Sequence, residues 1–390
     1  MAILKRHASI ESAKSFTAGE SEVVVGLSDD VVAEIILRLP VKSVARSRCV
    51  SRSWRAAIAD GYLRRRLPLQ LSVVYFPDGP AGRKQAPRFA CAGDGGGGML
   101  EDRDLGFFPF MAGAVVCDAC NGLLLLRAAG TARFHVVDPV TRRWAALPPP
   151  SRGARLSMLA FDPSPSGGGG GGGGGGFHVV NFTGRWRERG GEVEVFSSES
   201  GEWAVRDVEF GVPAAALSGS THFHGGAAYI IASDPDCVVR MDITDPDLTC
   251  MVAELPGEPA ADGGDARLAH SGGRLHYVAT SGGGAVLKVW LLDDDGSSSP
   301  AALRWRLKHA VNLADVVEGG CSRGANEARF MTLHPEKDAA YVWSGRRLVE
   351  YDLARKKVTG AWEFADGEKN RVVKAWLVPS SMYLSDCLMS

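Results

Sequence analysis

The feature that most constrains this chain is a unit that recurs through its C-terminal bulk. Each copy is a strand-like run, a turn rich in Asp, Ser or Gly, and a second strand-like run ending near a tryptophan. The first copy runs from Phe134 to Trp144 and the second from Val195 to Trp203. A third, Val238 to Pro256, carries Met241-Asp242 but no tryptophan. A fourth spans Leu287 to Trp305, and a fifth starts at Glu350-Tyr351-Asp352 and includes Trp362. The spacing is roughly 50 residues, the length of a four-stranded propeller blade of the kelch kind, so the stretch after residue 68 has room for roughly six blades. The tryptophans at strand ends read as blade core and not as ligand sites. Alternation in Glu192-Val193-Glu194-Val195 predicts a half-buried strand there.

Glycine accounts for 48 of the 390 residues, as a turn-rich fold needs. Ten of them form one run, Gly167 to Gly176, which predicts a flexible surface loop. No Lys-Ser/Thr follows that run and a strand-like Phe177-His178-Val179-Val180 does, so it lacks the signature of a phosphate-binding loop.

Residues 23–68 have a different texture. Leu27, Val31, Ile35 and Leu39 recur every fourth residue and fall on one helix face. Ser28 is placed to cap that helix, Asp29 and Asp30 sit in its first turn, and Pro40 ends it. A second apolar series holds Val44, then Val50, Trp54 and Ile58, with Ser51 as a cap before the last helix. Three short helices in so few residues bury little surface and lean on a partner. Residues 1–22 read as a disordered tail, and Glu11 and Glu20 within it argue against a transit peptide.

The expected organisation is therefore a tail (1–22), a small all-α head of three helices (23–68) and a mainly-β, β-propeller-like domain (69–390). Net charge is −1, so no global field points to nucleic acid or a membrane. No apolar run is long enough to cross a bilayer as a helix. The eight cysteines are scattered, which reads as a reduced compartment, cytoplasmic or nuclear.

The head resembles the F-box. The residues that carry the resemblance are Leu27 to Val44, including Leu39-Pro40-Val41-Lys42-Ser43, and Arg48-Cys49-Val50-Ser51-Arg52-Ser53-Trp54-Arg55. Ser28 stands where that family often has proline, and Arg52 where it usually has lysine. The rest of the chain is similar to the F-box-associated domain of plant F-box proteins, through Cys120-Asn121-Gly122-Leu123-Leu124-Leu125, Asp138-Pro139-Val140-Thr141-Arg142-Arg143-Trp144, Val289-Trp290-Leu291 and His334-Pro335-Glu336.

The resemblance implies a substrate receptor of a Skp–cullin–F-box ubiquitin ligase. The F-box would dock a Skp-type adaptor, and through it cullin and RING subunits, while the propeller would hold an unknown target for ubiquitination and degradation. By position it assigns the adaptor contact to Leu27, Ile35, Leu39, Pro40, Val44, Val50 and Trp54. The alternative is an interaction scaffold that works without the adaptor. Charge fits docking to an acidic protein surface: Val41 to Arg66 carries eight basic residues, Lys42, Arg46, Arg48 and Arg52 among them, against the single acid Asp60. Nucleic acid is the rival for those charges, but they are interleaved with apolar anchors.

Signs of catalysis are missing: no H-E-x-x-H or Walker pattern occurs, and no cofactor is expected. Cys117 and Cys120 lack a second pair at zinc spacing and read as a buried pair. His222 and His224 share a strand face without an evident third ligand, so no metal is expected. Asp293-Asp294-Asp295-Gly296 reads as a solvated turn, and Trp186, between Arg185 and Arg187, as an exposed anchor.

Overall fold

The computed structural model describes residues 27–39, 43–44, 47, 51–59, 69–77, 86–92, 98–131, 133–162, 176–256, 266–281, 285–293, 304–316, 328–344, 346–364 and 370–379. The tail, Pro40, Lys42, Arg46, Arg48, Val50, residues 167–175 of the glycine run and Asp294 to Gly296 lie outside the described residues.

Two helices frame the head, α1 (Asp29–Arg38) and α2 (Arg52–Ala59). Ser28 caps α1 as its sequence predicts: its hydroxyl accepts from the Val31 N–H at 3.4 Å and its carbonyl from the Val32 N–H at 3.0 Å. Asp29 and Asp30 occupy the positive end of the helix, and Glu34 pairs with Arg38 one turn on at 3.1 Å. Ser51 caps α2 through the Trp54 N–H at 3.0 Å. Between them Ser43, Val44 and Ser47 are helical. The head has its own small core of Val32, Ile36, Val44 and Ile58, with Leu37, Leu39 and Trp54 packed against it.

Three strands open the body: β1 (Leu69–Pro77), β2 (Arg88–Ala92) and β3 (Met99–Arg103). Five antiparallel meanders follow. They are β4 (Val115–Cys120) to β7 (Arg143–Ala146), with β5 (Leu123–Arg127) and β6 (Phe134–Asp138) between; then β8 (Leu156–Phe161), β9 (Phe177–Trp186), β10 (Gly190–Ser197) and β11 (Glu202–Glu209). The third is β12 (Leu217–His224), β13 (Ala227–Ala232), β14 (Cys237–Asp242) and β15 (Cys250–Glu254), and the fourth β16 (Ala266–Ser271), β17 (Arg274–Ser281), β18 (Val286–Asp293) and β19 (Arg304–Asn312). The fifth is β20 (Arg329–Leu333), β21 (Ala339–Ser344), β22 (Arg347–Asp352) and β23 (Lys357–Phe364), and β24 (Asn370–Pro379) comes last.

That last strand pairs with β1 from Leu69↔Pro379 to Pro77↔Asn370 and so heads a sixth sheet, β24-β1-β2-β3. Strands from the two ends of the chain thus close a ring of six four-stranded blades. A two-residue parallel bridge, Glu363↔Met99 and Phe364↔Leu100, joins the outer edge of the sixth blade to the fifth. The apolar clusters lie between blades. One spans the sixth, first and second blades through Phe89, Trp376, Leu125, Phe134, Leu159 and Phe196. Others lie between the second and third, third and fourth, fourth and fifth, and fifth and sixth.

The five repeats of the sequence are the two outer strands of five blades. Their shared slot is set by register: Val137↔Trp144, Phe196↔Trp203, Met241↔Cys250, Leu292↔Trp305 and Tyr351↔Val358. Cys250 therefore fills the tryptophan slot of the third repeat. In the fifth repeat the slot belongs to Val358, and Trp362 lies further along β23 opposite Leu348. Four of these hairpins hold a left-handed residue two positions before the slot: Arg142, Gly201, Leu248 and Lys356. Trp203 binds its blade to the first one: its ring lies 6.1 Å from that of Phe134, and its indole N–H donates to the Pro148 carbonyl at 2.8 Å.

One local expectation is overturned. Glu194 does not face solvent from a half-buried strand; it is fully buried. Its carboxylate accepts from the Ser151 N–H and from the Asn181 amide, both at 2.9 Å, and from the Ser151 hydroxyl. The link entering the second blade covers that face of β10, and its polar groups need an acceptor.

Candidate functional site

Helix α1 is apolar on two adjacent stripes, and only one of them is used internally. Val32 and Ile36, four apart, point into the head core. Leu27, Val31 and Ile35, also four apart, are 56%, 44% and 36% exposed. Soluble domains place such a row in water at a cost, so this strip is a candidate docking surface. Of the residues that the F-box resemblance assigns to the adaptor, Leu27 and Ile35 stand free, whereas Leu39 and Trp54 are half-buried against the head core. Val44 is inside that core at 1% exposure. Arg52 is exposed. Val31 joins the free row by the same spacing that placed the other two.

A second site lies on the propeller axis. The first strands of all six blades line a cavity of about 490 Å³. Asp118 of β4 is sunk in its wall, 8% exposed. One carboxylate oxygen accepts from the Leu159 N–H at 2.9 Å; the other accepts from the Ala119 N–H at 2.8 Å and from Lys374 Nζ. This carboxylate joins β4, β8 and β24. Arg267 of β16 donates to the Val373 carbonyl at 3.2 Å, tying the fourth blade to the closing strand across the channel.

A histidine trio adds to this wall. The His222 and His270 rings share a hydrogen bond of 3.1 Å between Nε2 and Nδ1, and His224 stacks on His270 at 4.6 Å while its Nε2 donates to the Gly273 carbonyl at 3.0 Å. The third imidazole absent from the local sequence is thus supplied by the next blade, but it meets its partner by a hydrogen bond. Among the described residues no group of three or more His, Cys, Asp or Glu is arranged to hold a metal ion. Burial, then the neighbouring His270 and the positive charges of Lys374 and His224, push His222 well below the usual imidazole range. Burial and His224 push His270 down to about 4, and burial pushes His276 down to about 4.

These imidazoles give the fold a pH dependence. In the unfolded chain each binds a proton near pH 6.5, but in the folded chain His270 and His276 do so only near 4. Their neutral form is fully accommodated above pH 7, and stability is lost as pH falls from 6.5 toward 4 because the unfolded state takes up protons first. The loss at pH 5 is on the order of 2 kcal/mol for the buried His276. Asp338, Asp293 and Asp352 titrate below this window, since hydrogen bonds and cations hold their carboxyls down. Thermal melts between pH 7 and 5 should show a steady fall in Tm, and His276→Gln should flatten that slope.

The remaining candidates are structural. Burial raises the Cys117 and Cys120 thiols to about 11 and about 12, so both stay protonated and are poor metal ligands. Asp293 is held by Arg274 at 2.6 Å and Arg306 at 3.0 Å. Trp186 is not an exposed anchor: it is half-buried, packs on Phe182 and Phe210, and lies under the Arg155 guanidinium at 5.6 Å. No helix among the described residues is long and apolar enough to cross a membrane.

The described residues thus form a closed propeller and a small helical head with an exposed apolar row. Comparison with known proteins places it further. The F-box domain model matches residues 25–66, and the model described as "F-box protein At3g26010-like, beta-propeller" matches residues 110–382. The chain belongs to the family of F-box proteins with an At3g26010-like β-propeller. Its relatives in Arabidopsis thaliana include the putative F-box/kelch-repeat protein At4g22430, 26% identical over 83% of this chain and 77% of the relative. F-box protein At3g26010 is 23% identical over 85% and 78%, and the putative F-box/kelch-repeat protein At1g15680 is 26% identical over 86% and 83%.

Proposed function

We propose that this chain is the substrate receptor of a Skp–cullin–F-box ubiquitin ligase. The observation that carries the reading is the exposed row Leu27, Val31 and Ile35 on a head matched by the F-box model, in a chain whose bulk is a β-propeller. The row supplies apolar contact for an adaptor, and the basic residues of the same segment steer an acidic partner onto it. The propeller holds the target through loops at its two faces. The chain performs no transfer chemistry in this reading; it acts by proximity, raising the concentration of target beside a conjugating enzyme brought by other subunits. Its place of work is the cytosol or nucleus, where cysteines such as the buried Cys91, Cys120 and Cys237 stay reduced.

Co-purification tests it. Full-length chain should retain a Skp-type adaptor, with cullin and RING subunits joining through it, and deletion of residues 27–63 should abolish that retention. Ser28, where the family often has proline, gives the competing reading its motive: an F-box that no longer engages the adaptor would leave an interaction scaffold. Failure of purified adaptor to bind the purified chain selects that scaffold.

A further inference from the structure

We propose that a groove between the first and second blades, on the face opposite the chain's entry from the head, takes an extended segment of the target with an apolar side chain flanked by carboxylates. This rests on the receptor reading and adds to it the chemistry of the target.

Cross-strand register builds one wall. Val115↔Arg127 on β4 and β5, and Arg127↔Phe134 on β5 and β6, set three side chains in one row. The row faces the second blade, where the Phe134 ring lies 6.1 Å from that of Trp203. The opposite wall is the link from β7 to β8, with Pro150, Gly153 and Ala154. The cavity between them measures about 410 Å³, within the range of pockets that enclose a ligand. Phe134 is its buried floor, and Val115 is 51% exposed at its mouth. The link is fixed along its length. The Leu147 N–H donates to the Phe134 carbonyl, the Ser151 N–H to the buried Glu194 carboxylate and the Arg155 N–H to the Phe182 carbonyl, each at 2.9 Å. Glu194 thus holds the wall in place before anything binds, which spares a ligand the cost of ordering it.

Charge selects the occupant. From Asn121 to Arg155 the chain carries six arginines and one acid. That acid, Asp138, is 3% exposed and lies with Arg142 and Arg143 in the turn at the other end of β6. Arg127, Arg133, Arg152 and Arg155 lie at the groove end of these strands, and no carboxylate is among the described residues that line the groove. Arg127, in the lining, forms no ion pair among the described residues. Arg152 reaches Glu192 only at 3.7 Å, and Arg185 shares that carboxylate at 3.8 Å. An apolar slot with an unpaired guanidinium in its wall fits a peptide with an apolar anchor beside an acid, because guanidinium binds carboxylate through paired hydrogen bonds. Position agrees. β1 and β5 are each the second strand of a blade and run the same way along the axis. The chain arrives from the head at Leu69, where these strands begin, and the groove lies where they end, so adaptor and target need not compete for one face.

Immobilised full-length chain is used to select from a displayed library of random dodecapeptides. The recovered peptides should place Leu, Ile, Val or Met beside Asp or Glu. Gly153 gives a clean probe: its φ is not left-handed and a Cβ built there meets no atom within 4 Å, so a side chain enters without disturbing the wall. A selected peptide should bind Gly153→Glu about fivefold more weakly than Gly153→Gln, and Gly153→Lys about fivefold more tightly. The proposal is overturned if no peptide is enriched, if the enriched peptides lack acids, or if the Glu, Gln and Lys variants bind them alike, which puts the peptide outside the groove. It is overturned in favour of nucleic acid if an oligothymidylate binds more tightly than the peptides with the same order among the variants. Adaptor retention is measured on the same chain. A chain that retains adaptor but selects no such peptide loses the groove alone; one that selects the peptide but retains no adaptor loses the receptor reading and keeps the groove as a peptide site.

Discussion

A chain ending at residue 369 should not fold its propeller. The missing segment, Asn370–Pro379, is a single strand, but it is the inner strand of the sixth blade and the sole partner of β1 on that side. Without it the paired edge of β1 is bare from Leu69 to Pro77. Val372, Ala375 and Trp376 leave the cores they fill, at 0%, 4% and 8% exposure. Lys374 leaves Asp118, so the recessed carboxylate also loses its cation, a smaller loss than for a fully buried pair because that lysine is 36% exposed. The ring is also opened, because β24 abuts the first strand of the fifth blade. Together these exceed the ~5–15 kcal/mol that stabilises a domain. The truncated protein should show no cooperative thermal transition by circular dichroism and should be degraded by trypsin in its body. Register supplies the control. Pro379 lies opposite Leu69, so residues 370–379 moved ahead of residue 69 through a short turn can pair with β1 as a hairpin. Recovery of a cooperative melt in that rearranged chain shows that the strand, and not the chain end, closes the ring; a truncated chain that melts normally removes β24 from that role.

This closing strand also marks the limit of what the sequence discloses. Each outer hairpin was legible because its turn chemistry is local: Asp138, for example, accepts from the N–H groups of Val140 and Thr141 at 2.9 and 3.0 Å within its own turn. The spacing of these hairpins also led to six blades. The sixth blade itself was not legible, since β1 and β24 lie at opposite ends of the chain and no local pattern pairs them. Trp362 misled for a related reason: a tryptophan near a strand end invites alignment with Trp144, Trp203 and Trp305, but cross-strand register puts Val358 in that slot. Glu194 looks like the polar half of an alternating strand, and only the arrival of Ser151 and Asn181 makes its burial tolerable. The axial site is the extreme case. Asp118, His222, Arg267, His270 and Lys374 come from four different blades, and each alone is an unremarkable strand residue until closure of the ring brings them together.

In the head, spacing identified the apolar face but not which part of it is free. Two stripes, Leu27/Val31/Ile35 and Val32/Ile36, have the same four-residue period, and only packing separates them. That separation makes the docking surface testable apart from folding. In Leu27→Asp/Ile35→Asp both changed side chains already face water, at 56% and 36% exposure, so the melting temperature should move by no more than a surface change produces, within about 0.5 kcal/mol per site. Adaptor binding should fall more than about a hundredfold, since anchors at the centre of an interface are worth about 2 kcal/mol or more each and the new carboxylates repel an acidic partner. Ile36→Ala should behave in the opposite sense. Ile36 is fully buried, and its truncation costs about 2–5 kcal/mol, which a unit this small cannot absorb; the head loosens before any contact surface is touched. Adding adaptor should restore order to the Ile36→Ala head by mass action, which hydrogen exchange of α1 amides can follow, but should do nothing for the double Asp variant. If the double Asp variant still binds adaptor as the parent does, the exposed row is not the docking surface, whatever the head's family.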